Sequence, residues 1–272
     1  MARQDLQGRE RPAFLIAQDT GSDTGFARTG KMSLAVRHEL GPVGMTVGVS
    51  SGDAILGAAR RGADVASRRF ERFGTQGVSM SLDHRTGPMT AVLGASFLGE
   101  DRTILGGYWH DAFGVSGADT LFLDGALGLD AGDGWRIGSA FRQGITRPRG
   151  GGLLAPGATI SSNAFSLDVA KSDAFTKGDA IALRVSQPLR VTGGGLDLIL
   201  PVAYDYAAES AVYNVERLSL APAGREMMGE LSWTGSVLGG AFISSIYLRS
   251  QPGHYADAPD DAGLVLRWNR QF

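Results

Sequence analysis

The chain has 272 residues, no cysteine, 40 glycines and a formal net charge of −2. Without cysteine there is no thiol catalysis, zinc–thiolate site or disulfide, and the near-neutral charge gives nucleic acid no electrostatic footprint. Glycine stands at about twice its ordinary share of about 7% and follows no period, which excludes collagen-like and simple linker readings.

From the N-terminus, "MARQDLQGRERPAF" lacks the apolar run of a secretory signal. No segment reaches the ~18 uninterrupted apolar residues of a spanning helix; the best, Val237 to Leu248, is broken by glycines and serines. A short strand is expected over 12–19. Beyond it, period-2 alternation recurs to the end of the chain. "KMSLAVRHEL" sets Met32, Leu34 and Val36 against Ser33, Ala35 and Arg37, and "GMTVGVSS" sets Met45, Val47 and Val49 against Thr46, Gly48 and Ser50. "GVSMSLD" and "WRIGSAFRQG" do the same with Val78, Met80, Leu82 and with Trp135, Ile137, Phe141. "FSLDVA", "AIALRVSQ" and "MMGELSW" follow the same rule. A period of two belongs to strands, not helices.

Tight-turn signals at Gly41-Pro42, Gly87-Pro88, Gly132-Asp133-Gly134, Lys177-Gly178 and Gly235-Ser236 alternate with long connections around 19–31, 53–75, 99–118, 146–161, 192–225 and 250–261. The pattern predicts strands near 12–19, 31–40, 44–53, 75–86, 89–99, 118–130, 135–146, 161–175, 179–192, 225–235, 239–250 and 261–272. All tight turns then fall at one end. This predicts an all-β fold: a single transmembrane antiparallel β-barrel of twelve strands, with short periplasmic turns and long extracellular loops. The 192–225 stretch holds "GLDLILPVAYDY" and "AVYNVERLSL", which make fourteen strands if both span, or a hairpin standing above the membrane. "GGAFISSIYLRSQ" is apolar on both faces, so it requires a bulge or inward-facing Ile243 and Tyr247.

Trp135, Trp233 and Trp268 fall at the tight-turn end on the apolar phase, where an interfacial aromatic girdle would sit. The other phase is rich in Gly, Ala and Ser with charges interspersed. Arg37, Asp124, Arg136, Arg142, Asp168, Arg184, Glu226, Glu230 and Arg267 are expected to line a lumen, with Lys31, Glu39 and Arg190 on the same phase.

Chemistry is sparse. Neighbours on a strand point to opposite faces, so Asp83 and His84 make no natural dyad. His110-Asp111 in "GGYWHDAFG" is a loop pair for which a solvated loop anchored by Tyr108 and Trp109 is the simpler reading. "RPRGGGLLAPG" lacks the strand–loop–helix setting of a phosphate site. "ARRGADVASRRFERF" (59–73) is basic and suits a short amphipathic helix touching lipopolysaccharide phosphates, or simply a solvated loop. No catalytic residue, metal ligand or cofactor is expected.

The ending, "DDAGLVLRWNRQF", places Leu264, Leu266, Trp268 and Phe272 on one face. Together with Gly263 it resembles the C-terminal strand by which outer-membrane barrels are recognised by the assembly machinery, through strand addition; Arg270 departs from the alternation. "RLSLAPAGREMMGELSW" and "YLRSQPGHYADAPDDAGLVLRWNRQF" resemble the C-terminal translocator domain of autotransporters, most of all those carrying subtilisin-like serine proteases in alphaproteobacteria. The resemblance implies a monomeric bacterial outer-membrane barrel contacting lipid and lipopolysaccharide, with an upstream passenger absent here. It also implies a helix crossing the pore before the first strand. Residues 1–11 read as its remnant, about 16 Å long if helical, and 12–272 as the barrel. A small porin and an outer-membrane barrel enzyme are the competing expectations.

Overall fold

The structure, a computed structural model, describes residues 14–17, 19–55 and 72–270. The expected pore remnant at 1–11, most of the basic 59–73 stretch and Phe272 lie outside the described residues.

The described chain is all-β. Its strands are β1 (Arg28–Leu40), β2 (Val43–Ile55), β3 (Arg72–Thr86), β4 (Met89–Asp101), β5 (Thr103–Ile104), β6 (Gly107–Tyr108) and β7 (Val115–Gly132), then β8 (Trp135–Gly150), β9 (Ile160–Ser172), β10 (Ala180–Asp205), β11 (Ser210–Ser219), β12 (Met227–Val237), β13 (Gly240–Ser250) and β14 (Asp261–Asn269). Twelve of them form one antiparallel sheet in the order β1-β2-β3-β4-β7-β8-β9-β10-β12-β13-β14, with β11 paired to β10 off this path. The sheet is not closed, because β1 and β14 each have a single neighbour. Eleven strands alternate in direction along the path, so β1 and β14 run the same way, from the long-loop end to the tight-turn end.

The turns follow from their residues. Gly41 and Gly87 take φ of 63° and 54° immediately before prolines, as a two-residue hairpin with glycine first requires. The β12–β13 turn is Leu238-Gly239, both at positive φ (51° and 73°), and not Gly235-Ser236 as the sequence suggested. The apolar alternation continues through Val237, so the ladder runs on past Gly235, where Trp233 lies against the glycine.

One further expectation changes and one choice is decided. The strand foreseen at 12–19 is not formed by its described residues, 14–17 and 19. "PAFLIA" is apolar at consecutive positions and offers no alternating face; residues 15–17 are bends whose amides bond to a buried carboxylate instead of a ladder. The twelfth strand of the sheet is β11. Of the two readings for 192–225 the hairpin is formed: β10 continues to Asp205 and folds back as β11, which pairs Gly195 through Asp205 with Ser210 through Ser219. In β13 no register shift occurs along β12, so Tyr247 lies opposite Glu230, on the phase of the buried Ser245.

Burial divides the two faces sharply. Leu34, Leu93 and Leu266 are 63%, 67% and 59% exposed, and Val78, Met80, Leu121, Leu123, Leu183, Leu231 and Ile246 share that face. Thr75, Thr120, Arg142, Ser162, Arg184, Glu230 and Ser245 are buried on the other. The usual polarity of a sheet, apolar in and polar out, is reversed. Apolar burial is concentrated elsewhere, toward the loop end, where Ile104, Val115, Ala118, Leu154, Ile160, Leu196 and Leu198 cluster.

Candidate functional site

The buried polar face carries ion pairs laid out by strand register. Asp124 and Arg142 are direct partners across β7–β8, and the guanidinium donates to the carboxylate at 2.6 and 3.1 Å. Asp168 and Arg184 are partners across β9–β10, joined at 2.6 and 2.7 Å. Nearer the tight-turn end, Arg37 donates to Asp83 at 2.9 Å and to Glu39 at 2.7 Å. The first two pairs satisfy charges that would be costly to bury alone, whereas the Arg37 cluster is more exposed, Glu39 most of all.

Glu230 has no exposed surface and sits opposite Arg184 across β10–β12. Its carboxylate accepts the hydroxyl of Ser245 at 2.6 Å and the backbone amides of Leu15 (2.7 Å), Ile16 (3.2 and 3.3 Å) and Ala17 (2.6 Å). The ring of Phe14 lies 4.2 Å from the Arg184 guanidinium carbon. Further along the same segment, Arg142 donates to the carbonyl oxygens of Gly21 and Asp23, the latter at 2.6 Å. Asp23 accepts the amide of Leu189 at 2.6 Å, and Phe26 packs on the Leu98, Phe122, Ala164 and Leu189 cluster.

These contacts fix the path of the upstream chain. Residues 14–17 lie level with Arg184, residues 21–23 level with Leu189 farther toward the loop end, and β1 begins there at Arg28, opposite Ala54. The segment leading into the sheet therefore climbs along the polar face from the tight-turn side to the loop end.

The remaining sequence candidates take varied places. Arg136 is half-buried, and Arg267 is exposed on edge strand β14. Lys31 pairs with Asp53 at 2.7 Å. Arg190 is a loop staple, donating to the carbonyls of Pro222 and Gly224. Glu226 accepts the amide of Gly253 at 2.6 Å and donates its own amide to His254 Nδ1 at 2.9 Å. His254 thus carries its proton on Nε2, which faces the Leu189 carbonyl at 3.1 Å. Burial pushes this imidazole below its ordinary range, against the opposing pull of Leu189, Glu226 and Asp23.

Trp135 and Trp268 are about half exposed at the tight-turn end, and Trp233 lies 5.9 Å from Phe242, itself the register partner of Trp268. On β14, Leu264, Leu266 and Trp268 share the apolar face, while Gly263 turns to the other beneath the Tyr247 ring. The loop histidine makes no dyad: His110 Nδ1 accepts the amide of Ala112, and Asp111 bonds to Arg102 and Tyr108. His84 bonds to the Pro42 carbonyl and Thr86, across the strand from Asp83.

Sequence reading placed Glu230 on the polar phase but missed what it binds, and it missed Asp23, Ser245 and His254 altogether. The Leu15–Glu230 and Asp23–Leu189 contacts span 215 and 166 residues, and no local period carries such pairings; the contact of Ser245 with Glu230 spans 15 and depends on the β12–β13 register. Among the described residues no helix is long and apolar enough to cross a membrane, and no group of three or more His, Asp or Glu is placed to hold a metal. No protein-family model, curated protein or solved structure matches the chain.

Proposed function

We propose that this chain is an integral outer-membrane β-barrel that acts as the translocator of an autotransporter, carrying an upstream polypeptide through its polar interior. The observation that carries the reading is the upstream segment itself. Residues 14–17 and 19–26 run along the buried polar face, held by Glu230, Arg142 and Leu189, before the first strand begins. A porin offers no reason for its own chain to follow that path.

The membrane part of the proposal rests on the reversed polarity, since a continuous band of exposed Leu, Val, Met and Phe suits hydrocarbon and not water. In lipid, unpaired backbone groups cost several kcal/mol each, so the free edges of β1 and β14 must be satisfied. On this reading they meet and close the barrel. Because the two strands run the same way, the closing ladder is parallel, unlike every other ladder in the sheet. The tight turns face the periplasm, the β10–β11 hairpin stands beyond the outer rim, and β14 serves as the strand read by the assembly machinery.

The test is surface display. The chain is expressed behind a secretory signal and an epitope-tagged, unfolded upstream segment, and intact cells are treated with protease. Tag cleavage that accompanies a heat-modifiable outer-membrane species is the expected result. A fully assembled barrel whose tag stays protected in the periplasm would refute the translocator role. A chain that remains soluble without detergent would refute the membrane reading as well.

A further inference from the structure

Resting on that reading, we infer that the interior contains a main-chain clamp: Glu230 and Arg142 grip the backbone of a polypeptide in the pore without reading its side chains. The ligand class is an extended or bent peptide main chain, and the chain's own residues 15–17 and 21–23 occupy the site.

The chemistry of the two grips is complementary. Glu230 takes three consecutive N–H groups, from Leu15, Ile16 and Ala17, and Arg142 takes the carbonyl oxygens of Gly21 and Asp23. Every one of these partners is a main-chain atom. Any stretch of polypeptide free of proline presents the same atoms, so the clamp is indifferent to sequence.

Both grips are built on the barrel wall and oriented there. Arg142 is fixed by its bidentate pair with Asp124. Glu230 is fixed by Ser245 from the neighbouring strand and lies opposite Arg184, which is itself paired with Asp168. A carboxylate with no exposed surface is stable only when its lone pairs are filled. At Glu230 one hydroxyl and three amides fill them. Glutamine would serve poorly, because half of its head group is a donor that would face the same amides. Two grips separated along the pore hold the chain at successive points, and each releases by exchanging one set of amides or carbonyls for the next.

Amide hydrogen exchange at residues 15–17 of the full chain, refolded in detergent, tests this. The native amides are expected to be protected. Glu230→Gln is expected to speed their exchange roughly tenfold or more, the weight of lost charge-assisted hydrogen bonds. The paired change Leu15→Ser and Ile16→Ser, which alters side chains only, is expected to leave exchange within about threefold of the native rate. Should Glu230→Gln fail to fold, Leu15→Pro removes one gripped N–H without touching the barrel, and Ile16 and Ala17 are then expected to exchange faster. Unprotected native amides would overturn the clamp. So would serine substitutions that accelerate exchange as much as Glu230→Gln, because side-chain packing would then hold the segment. Failed surface display with the protection pattern intact would sink the translocator reading and leave the clamp as a feature of the fold.

Discussion

Leu93→Arg separates a lipid-facing surface from a watery one. Leu93 is 67% exposed on β4, between Leu82 and Gly125 in register. It lies four residues beyond Met89, the first residue after the Gly87-Pro88 turn. At a rise of 3.4 Å per residue and a tilt near 40°, each residue climbs about 2.6 Å, which puts Leu93 about 10 Å above the strand's start. In an apolar band about 25 Å tall that is close to the middle, where arginine costs about 2–4 kcal/mol. The corresponding loss in the folding equilibrium is roughly 30- to 700-fold. Leu238 in the β12–β13 turn is 83% exposed, and on this reading it faces water, so Leu238→Arg is expected to stay within about 0.5 kcal/mol. The assay is urea-dependent folding into phosphocholine vesicles, followed by the gel shift between unheated and boiled samples. Equal, small effects at both positions would refute the argument, since two exposed leucines would then differ in nothing that depth supplies.

Three further outcomes follow from particular contacts. Replacing Arg142 by Met strands the buried Asp124 carboxylate and is expected to cost about 3–5 kcal/mol in the same assay; making Asp124 Leu as well is expected to recover part of it, the rest reflecting the Gly21 and Asp23 carbonyls that Arg142 also holds. In this cysteine-free chain, Val36→Cys is expected to cross-link when combined with one of three β14 changes made singly, Leu264→Cys, Leu266→Cys or Trp268→Cys; cross-links from β14 to residues 14–17 instead would make that segment the closing strand and refute its interior placement. His254 is held neutral by burial among Glu226, Arg190 and Asp23, so its folded pKa lies below its unfolded value of about 6.5. The unfolded state then binds the extra proton first, and stability of the 251–260 connection falls as pH drops below that value, levelling off beneath the folded pKa. Amide exchange at Glu226, whose N–H bonds to this ring, reports the loss, and His254→Asn is expected to flatten the dependence.

What the sequence disclosed was whatever repeats at short range. The two-residue period of "KMSLAVRHEL" or "GVSMSLD" assigns both strand and face, because side chains on a pleat must alternate. The glycine–proline turns declared the hairpins, and with them the ends of the molecule. The ion pairs of Asp124 with Arg142 and Asp168 with Arg184 lay on the right phase, yet their pairing depended on registers that only the folded sheet supplies. One stretch was misread for the same reason. "PAFLIAQ" is apolar enough for a strand, but its fate is decided by a carboxylate more than 200 residues away. The hairpin over 192–225 was legible as one of two readings, whereas the continuity of its first arm with β10, past the point where the neighbouring strands end, was not. Gly263 illustrates the middle case. Its place in a terminal strand was legible, whereas its packing beneath Tyr247, where a Cβ would come within 2.7 Å of the ring, was not.

The order of strands in the sheet has a kinetic consequence. Each strand on the eleven-strand path pairs with the one before it on that path, and the β5–β6 and β10–β11 excursions fold back on themselves. Every such ladder closes only a local loop, at an entropic cost that grows slowly with loop length. The sheet can therefore zip strand by strand, with no step waiting on a distant segment. On the barrel reading proposed above, the closure of β1 on β14 is different, since it joins the two extremes of the described fold. On that reading the seam forms last, and an unfinished molecule stays open there while the other strands are already paired.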